Sequence, residues 1–128
     1  MIGEVVRRSV QREKRLPGWM PRVVERLHHD ADDVGLAELA RLAQVHPSHL
    51  ARTFRAVHGC TIGQYARRLR VRRACAMLRA GDVSLARIAL ACGFTDQSHF
   101  TRVFRQVTGE TPAAFRREVD HRRRSGHP

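Results

Sequence analysis

The chain has 128 residues, a length that suits one domain or two very small ones. Its 24 Lys and Arg against 12 Asp and Glu give a net charge of +12, which indicates a polyanionic partner such as DNA, RNA or an anionic membrane surface. No apolar run approaches the roughly 18 residues of a membrane span, and the N-terminal stretch lacks the apolar core of a signal peptide, so we expect a cytoplasmic protein.

The cysteines do not indicate a disulfide framework or a zinc site. They are odd in number, at Cys60, Cys75 and Cys92, and no pair has C-x-x-C spacing. We interpret them as reduced, partly buried thiols.

The first half of the chain predicts three short helices. Residues 1–19 are charged, lack periodicity and end in the turn signal Leu16-Pro17-Gly18, so we interpret them as a linker or N-terminal extension. Proline and glycine then mark the element boundaries, because proline suits a first helical turn and glycine the residue after a last one. The predicted helices are 21–29, 36–43 and 47–57, with Pro47 opening the last of them and Gly59 ending it. In the second of these helices, Leu36, Leu39, Ala40 and Ala43 lie on one face, which we expect to pack.

The second half predicts four more helices, each preceded by a residue that can cap it. A long arginine-rich helix comes first, and Gly81 ends it. The final stretch, residues 121–128, is interpreted as a disordered basic tail. The predicted helices are 62–80, 85–92, 96–108 and 112–120, capped in order by Thr61, Ser84, Thr95 and Thr111.

The chain contains an internal repeat. Residues 48–61 match residues 98–111 at a constant offset of 50, and upstream residues 36–40 match residues 85–89 at an offset of 49. The second copy therefore has one extra residue in or beside its turn. Each copy is a short helix, a tight turn and a second helix, so the sequence predicts an all-α fold of two helix-turn-helix subdomains, 20–60 and 82–120, joined by a long linker helix, 61–81, about seven helices in total.

The second helix of each copy has one apolar side and one polar side. Leu50, Phe54 and Val57 match Phe100, Phe104 and Val107, and both sets follow the i, i+4, i+7 spacing of a buried stripe. The remaining side carries no acidic residue and offers the Gln, Ser, Thr and Arg side chains that read base edges and phosphates. These outward residues are Ser48, Ala51, Arg52 and Arg55 in the first copy and Gln97, Ser98, Thr101, Arg102 and Arg105 in the second.

The length of the intervening helix agrees with DNA binding. About 19 residues at 1.5 Å per residue span roughly 28 Å. Two reading helices one DNA turn apart need roughly 34 Å. The sequence therefore predicts that a single chain places two helices in adjacent major grooves of double-stranded DNA.

From about Pro21 to Arg117 the sequence resembles the DNA-binding domain of AraC/XylS-type transcription regulators. The most specific stretch is IALACGFTDQSHFTRVFRQVTGETPAAFRR, residues 88–117, and the first unit, LAELARLAQVHPSHLARTFRAVHG, also matches. The resemblance implies two recognition helices, about 46–57 and 96–108, and adds His99 to the base-contacting positions. It also implies RNA polymerase as a partner, and packing roles for Leu39, Ala40, Ile88, Ala89 and Ala91.

The sequence departs from the family pattern in three places. Many relatives have glycine where Gln44 stands, and a positive φ there would cost glutamine about 1 kcal/mol. Ala51 is small for a reading position, which favours contact with a thymine methyl over hydrogen bonding. Only about 20 residues precede the module, so we expect either a stand-alone regulator or, as the turn at Leu16-Pro17-Gly18 favours, a fragment; in both cases an effector domain is absent or removed.

Three other functions find some support in the sequence. A metal site or an enzyme is suggested by His28, His29, His46, His49, His58 and Cys60, but their spacing fits no zinc pattern and no nucleophile or general base appears, so we expect no metal, cofactor or catalysis. A membrane-surface role for residues 62–80 is disfavoured because that helix lacks Trp and Phe. A protein–protein adaptor that contacts RNA polymerase remains compatible with DNA binding.

Overall fold

The structure is a computed structural model that describes residues 16–30 and 34–126. Within those ranges the chain forms seven helices and no strand, which confirms the predicted all-α class. The helices are α1 Met20–His29, α2 Leu36–Ala43, α3 Pro47–His58, α4 Ile62–Ala80, α5 Leu85–Ala91, α6 Gln97–Thr108 and α7 Pro112–Ser125.

The chain divides into two compact units, Met1–Tyr65 and Ala66–Pro128. In the first, α1, α2 and α3 pack their apolar stripes together, and an ion pair of 3.1 Å between Arg26 and Glu38 links α1 to α2. Because both side chains are substantially exposed, this pair contributes little compared with the apolar burial. The core residues of this unit are Met20, Val23, Leu27, Leu39, Ala40, Ala43, Leu50, Phe54 and Cys60.

The second unit has a core rich in phenylalanine. Phe94, in the turn before α6, and Phe100 and Phe104, on one side of α6, are all buried, with ring centroids 5.0 Å apart for Phe94 and Phe100 and 5.6 Å apart for Phe100 and Phe104. Phe115 of α7 makes a T-shaped contact with Phe104, with ring centroids 5.6 Å apart. The Arg79 guanidinium lies over the Phe115 ring, 5.3 Å from its centroid. The other buried members are Val71, Ala74, Leu78, Ile88, Ala89, Cys92 and Val103.

The cysteine side chains lie in the protein interior, as predicted. Cys60 and Cys92 are buried, Cys75 is half-buried, and the Cys92 thiol donates to the Met77 sulfur at 3.8 Å. Burial raises the pKa of the Cys75 thiol, which keeps it protonated and unreactive at neutral pH. These thiols therefore act as small apolar packing groups.

The turn between the two helices of each helix-turn-helix, α2 to α3 and α5 to α6, is formed by the same pair of backbone hydrogen bonds. Gln44 N–H bonds to Arg41 O and Val45 N–H to Ala40 O, the paired bonds of a Schellman motif. Gly93 and Phe94 repeat this pattern in the second unit. Gln44 has φ 58° and is the one non-glycine residue with positive φ among the described residues, so the strain expected of glutamine there is present.

The extra residue of the second copy lies directly after its turn. Val45 corresponds to Phe94 through the Schellman bonds, whereas His46 corresponds to Asp96 as the residue that caps the next helix. Thr95 is therefore the inserted residue. The prediction that Thr95 caps α6 was wrong, because the Asp96 carboxylate accepts from His99 N–H at 2.8 Å and takes that role.

The other predicted caps are confirmed. The hydroxyls of Thr61, Ser84 and Thr111 accept from the amides of Gln64, Arg87 and Ala114, and Gln64 also accepts from Thr61 N–H to complete a capping box. These bonds fix where α4, α5 and α7 begin.

Three residues predicted to pack are more exposed than expected. Val107 is 41% exposed because the last turn of α6 extends past the core, and Val103 fills the stripe in its place. Leu36 is 40% exposed at the first position of α2. Ala91 is exposed because the buried stripe of α5 continues at i+4, to Cys92, rather than at i+3.

The prediction of a disordered basic tail was wrong for residues 121–125, which continue α7 to Ser125. An i, i+4 pair of 3.2 Å between Glu118 and Arg122 supports the extension, and arginines in the last turn interact favourably with the helix dipole. Residues 1–15, predicted as a linker, lie outside the described residues. None of the described helices is both long and apolar enough to cross a membrane.

Candidate nucleic-acid interface

The second helix of the first unit, α3, presents most of the predicted reading residues to solvent. Pro47 starts the helix, and the His46 ring accepts from Ser48 N–H at 3.1 Å. Leu50 and Phe54 anchor the opposite side with no exposed surface. Of the predicted residues, Ser48, Arg52 and Arg55 are exposed and Ala51 is half-buried.

The corresponding helix of the second unit, α6, has a richer outward face. Gln97, Ser98, Arg102 and Arg105 are exposed, and Thr101 is half-buried. Together with Gln106 these residues line a single open groove along the helix. The structure therefore brings the predicted residues of each copy onto one surface, apart from His99.

Both faces are strongly electropositive. Between Glu38 and Asp82 the sequence has nine arginines and no acidic residue. Between Asp96 and Glu110 it also has no acidic residue. Within the part of the chain that the structure describes, the side chains of Arg52, Arg55, Arg102 and Arg105 have no hydrogen-bond or ion-pair partner. Their guanidinium groups are therefore available for an external anion or base edge.

The repeated histidine has a structural role that sequence reasoning missed. The His99 Nδ1 lies 3.3 Å from both Thr95 N and Thr95 Oγ1, and its ring meets the edge of Phe94 at 5.5 Å. Its counterpart His49 makes an edge contact with Trp19 at 6.3 Å. The ring of His99 thus fastens the inserted Thr95, and only its Nε2 is left for a ligand.

His58 is the last residue of α3. The His58 ring packs 4.3 Å from the Phe54 ring and 5.4 Å from the Tyr65 ring, and its buried Nε2 has no hydrogen-bond partner. Burial lowers the pKa of His58, because the charged ring loses solvation there. The lowered pKa favours the neutral form of this half-buried ring, which packs against Phe54 and Tyr65.

The histidines and the cysteine that suggested a metal site do not lie together. His46 caps α3, His49 contacts Trp19, and the His28 ring bonds to the Tyr65 hydroxyl at 2.9 Å. Within residues 16–30 and 34–126, no group of three or more His, Cys, Asp or Glu side chains is arranged to hold a metal ion.

A helix, a Schellman turn and a second helix with an outward polar face define a helix-turn-helix protein. The helix-turn-helix domain family matches residues 39–118, and this chain belongs to that family, as a domain of the AraC type. The resemblance to AraC-type regulators inferred from the sequence is confirmed.

Among curated relatives, the chain is similar to the probable transcription factor PqrA of Proteus vulgaris. The two are 44% identical over 68 residues, which cover 53% of this chain and 56% of PqrA. The chain thus spans about half the length of that relative.

Solved structures give the same fold over most of the chain. The DNA-binding domain of the global transcriptional factor AdpA, crystallised in complex with a target DNA, is 28% identical with a TM-score of 0.71, covering 84% of this chain and 96% of that one. A DNA-binding transcriptional dual regulator of Escherichia coli K-12 is 26% identical with a TM-score of 0.72, covering 84% and 97%.

Proposed function

We propose that this chain binds double-stranded DNA in a sequence-specific manner as the DNA-binding domain of a transcription regulator, and that it acts by binding rather than by catalysis. The observation that carries the proposal is the pair of helix faces without acidic residues, on α3 and α6, whose guanidinium groups have no partner among the described residues. Membership of the AraC-type family and the similarity to a DNA-bound relative support it.

In this proposal each of the two helices enters a major groove and acts as a recognition helix. Arg102 and Gln97 lead the reading of bases in the second half-site, because a guanidinium forks to guanine and an amide pairs with adenine. Arg52 and Arg55 lead in the first. The remaining contacts are assigned to Ser48, Ala51, Ser98, His99, Thr101 and Arg105, with Ala51 placed against a thymine methyl and His99 contributing through Nε2.

The two half-sites are proposed to lie in adjacent major grooves. Helix α4 is 19 residues long. Its rise of roughly 28 Å is comparable with the roughly 34 Å of one DNA turn. Phosphate contacts come from the N-termini of the recognition helices and neighbouring arginines, so affinity falls by about one log unit per log unit of salt for each phosphate neutralised.

Selection of bound sequences from random duplex DNA tests the proposal. We expect an enriched site with two half-sites whose centres are about 10–11 base pairs apart. Recovery of no preferred sequence, with binding that depends on salt alone, contradicts sequence-specific reading. A single enriched half-site contradicts the two-groove arrangement but leaves specific binding intact.

The assignments to RNA polymerase as a partner and to the cytoplasm as the location are part of the same proposal. They follow from the role of a transcription regulator. Co-purification of RNA polymerase with the DNA-bound chain, compared with the chain alone, tests the first of them.

A further inference from the structure

The first unit contains an apolar groove that borders the residues proposed to read the first half-site. It has a volume of about 520 Å³, and its floor and sides come from Val34, Leu36, Ala51 and Ile62. A volume of this size matches the roughly 300–1,000 Å³ of small-molecule sites. Leu36 leaves 40% of its surface exposed there, which is why the sequence-based expectation that it packs was not met.

Among the described residues that line the groove, two are positively charged and none is acidic. These two are Arg52 and Arg55, and both side chains are exposed. Among the described residues neither guanidinium has an ion-pair or hydrogen-bond partner. An occupant that satisfies this surface needs an apolar body and an anionic end.

We propose that this groove binds a small aromatic carboxylate and that the bound ligand competes with DNA. Arginine pairs with carboxylates through two parallel hydrogen bonds and also stacks on aromatic faces, so two arginines on one rim suit an aromatic acid. Leu36, Val34 and Ile62 take the ring. The competition rests on the proposed function, because Arg52, Arg55 and Ala51 are the residues assigned to the first half-site.

The test of binding is a titration of the ¹⁵N-labelled chain with 2-naphthoate, without DNA, followed by amide chemical shifts. For a ligand of this size we expect saturable binding with a Kd of about 1 mM or tighter. The shifts should concentrate on residues 34–36, 51–55 and 61–63. The neutral analogue 2-naphthalenemethanol should bind at least about tenfold more weakly, because it cannot form the charge-assisted bonds.

Two variants of the same helix distinguish the groove from general charge effects. Leu36→Glu places a carboxylate in the groove, at a first-turn position where a negative charge suits the helix dipole, and should weaken 2-naphthoate binding by about tenfold or more. Leu42→Glu is the control, because Leu42 lies on α2 with the same 40% exposure but outside the groove. Equal weakening by both variants, shifts elsewhere, or equally tight binding of the alcohol overturns the site.

The regulatory part is tested separately with the DNA site recovered by selection. At constant ionic strength, with acetate as the balancing anion, 2-naphthoate should release DNA with a half-effect near its measured Kd, and Leu36→Glu should abolish this release. If naphthoate binds in the groove but DNA stays bound, competition is overturned while the site stands. If no DNA sequence binds at all, the proposed function fails, and the amide titration still reports on the groove.

Discussion

The two helix-turn-helix units share one aromatic contact and differ around it. In the first, Phe54 meets Tyr65 at 5.4 Å and 89°; in the second, Phe104 meets Phe115 at 5.6 Å and 74°. Both pairs fall at the repeat offset of 50, so the match extends four residues beyond the segment recognised in the sequence. This T-shaped pair joins the recognition helix to the helix that follows it, and its geometry is kept while neighbouring positions change.

The first unit has polar residues where the second has residues that suit the position better. Gln44 occupies the left-handed turn position that Gly93 occupies in the second. His58, with its buried unbonded nitrogen, corresponds to Thr108, whose hydroxyl donates to Phe104 O at 2.8 Å. A common fold thus tolerates local strain in one copy, and the strain is concentrated at the ends of helices rather than in the aromatic core.

The outward faces of α3 and α6 also differ, in the number of side chains that can form hydrogen bonds. Pro47, Ala51 and Ala56 of the first unit correspond to Gln97, Thr101 and Gln106 of the second. The first face therefore has fewer hydrogen-bonding side chains, and in the proposed binding mode a larger share of its base reading falls to the arginines.

Removal of the shared aromatic contact should have the largest effect. Phe54→Ala and Phe104→Ala each delete a fully buried ring and should each lower the free energy of unfolding by about 3–5 kcal/mol. Amide hydrogen exchange should show the loss of protection mainly in the unit that carries the change. Equal loss of protection in both units for either variant contradicts the description of two units with separate cores.

The next effect concerns DNA. Arg102→Ala should cost about 1–3 kcal/mol of binding free energy and relax the preference at one base pair, since Gln97 remains to read its neighbour. Arg52→Ala should relax the preference in the first half-site more than Arg102→Ala does in the second, because Arg55 is then the one leading reader left and Ala51 cannot replace the lost hydrogen bonds. Repeating the selection from random DNA with both variants measures this.

Arg117→Ala is the matched control for that measurement. Arg117 is an exposed arginine of α7, outside both recognition helices, so its loss removes the same charge without removing a proposed reader. Arg117→Ala is expected to weaken binding to all sequences equally. If Arg102→Ala does the same, Arg102 is a phosphate contact and not a base reader.

The fold could be predicted from the sequence because its signals are local. Proline at Pro47, glycine at Gly59 and Gly109, and hydroxyl caps fixed most helix ends, and the repeat fixed the helix-turn-helix unit. The αL conformation of Gln44 was accessible only through the resemblance, since glutamine itself does not indicate a left-handed turn.

The features that the sequence did not predict depend on contacts between residues distant in sequence, or on which of two neighbouring residues takes a given role. Thr95 and Asp96 are both good caps, and only the backbone path decides between them. The exposure of Leu36 and Val107 depends on where the core ends, which helical periodicity does not contain. The role of His99 required the position of the inserted Thr95. The assignment of individual reading residues stays a prediction.

The strained turn gives a smaller, testable difference in stability. Gln44→Gly removes a side chain from a left-handed residue and should raise the free energy of unfolding by up to about 1 kcal/mol, after the greater freedom of glycine in the unfolded chain is subtracted. Gln106→Gly makes the same change at an exposed helical position and should lower it by up to about 1 kcal/mol. Urea denaturation measures both, and effects of the same sign contradict the assignment of strain to Gln44.

The smallest difference should appear only in acid. Because burial holds the folded-state pKa of His58 below its usual 6.5, the unfolded chain binds a proton more readily than the folded one. The stability of the first unit should therefore be complete above pH 6.5 and fall as the pH decreases through the lowered folded-state pKa. The groups that face His58 are the rings of Phe54 and Tyr65, and the Tyr65 hydroxyl bonds to His28, so no acidic side chain among these contacts offsets the added charge.

His58→Thr gives the first unit the residue that the second has at this position. A threonine there can donate to the Phe54 carbonyl as Thr108 donates to Phe104 O, and it does not titrate. Amide exchange at pH 7.5 and pH 5.5, corrected for the intrinsic rate, should show an acid-dependent loss of protection in the first unit of the parent chain and not of His58→Thr. His29→Thr, which changes an exposed histidine of α1, should keep that loss. If His58→Thr keeps it as well, the acid sensitivity of the first unit arises from another group, and the buried ring is only a packing residue.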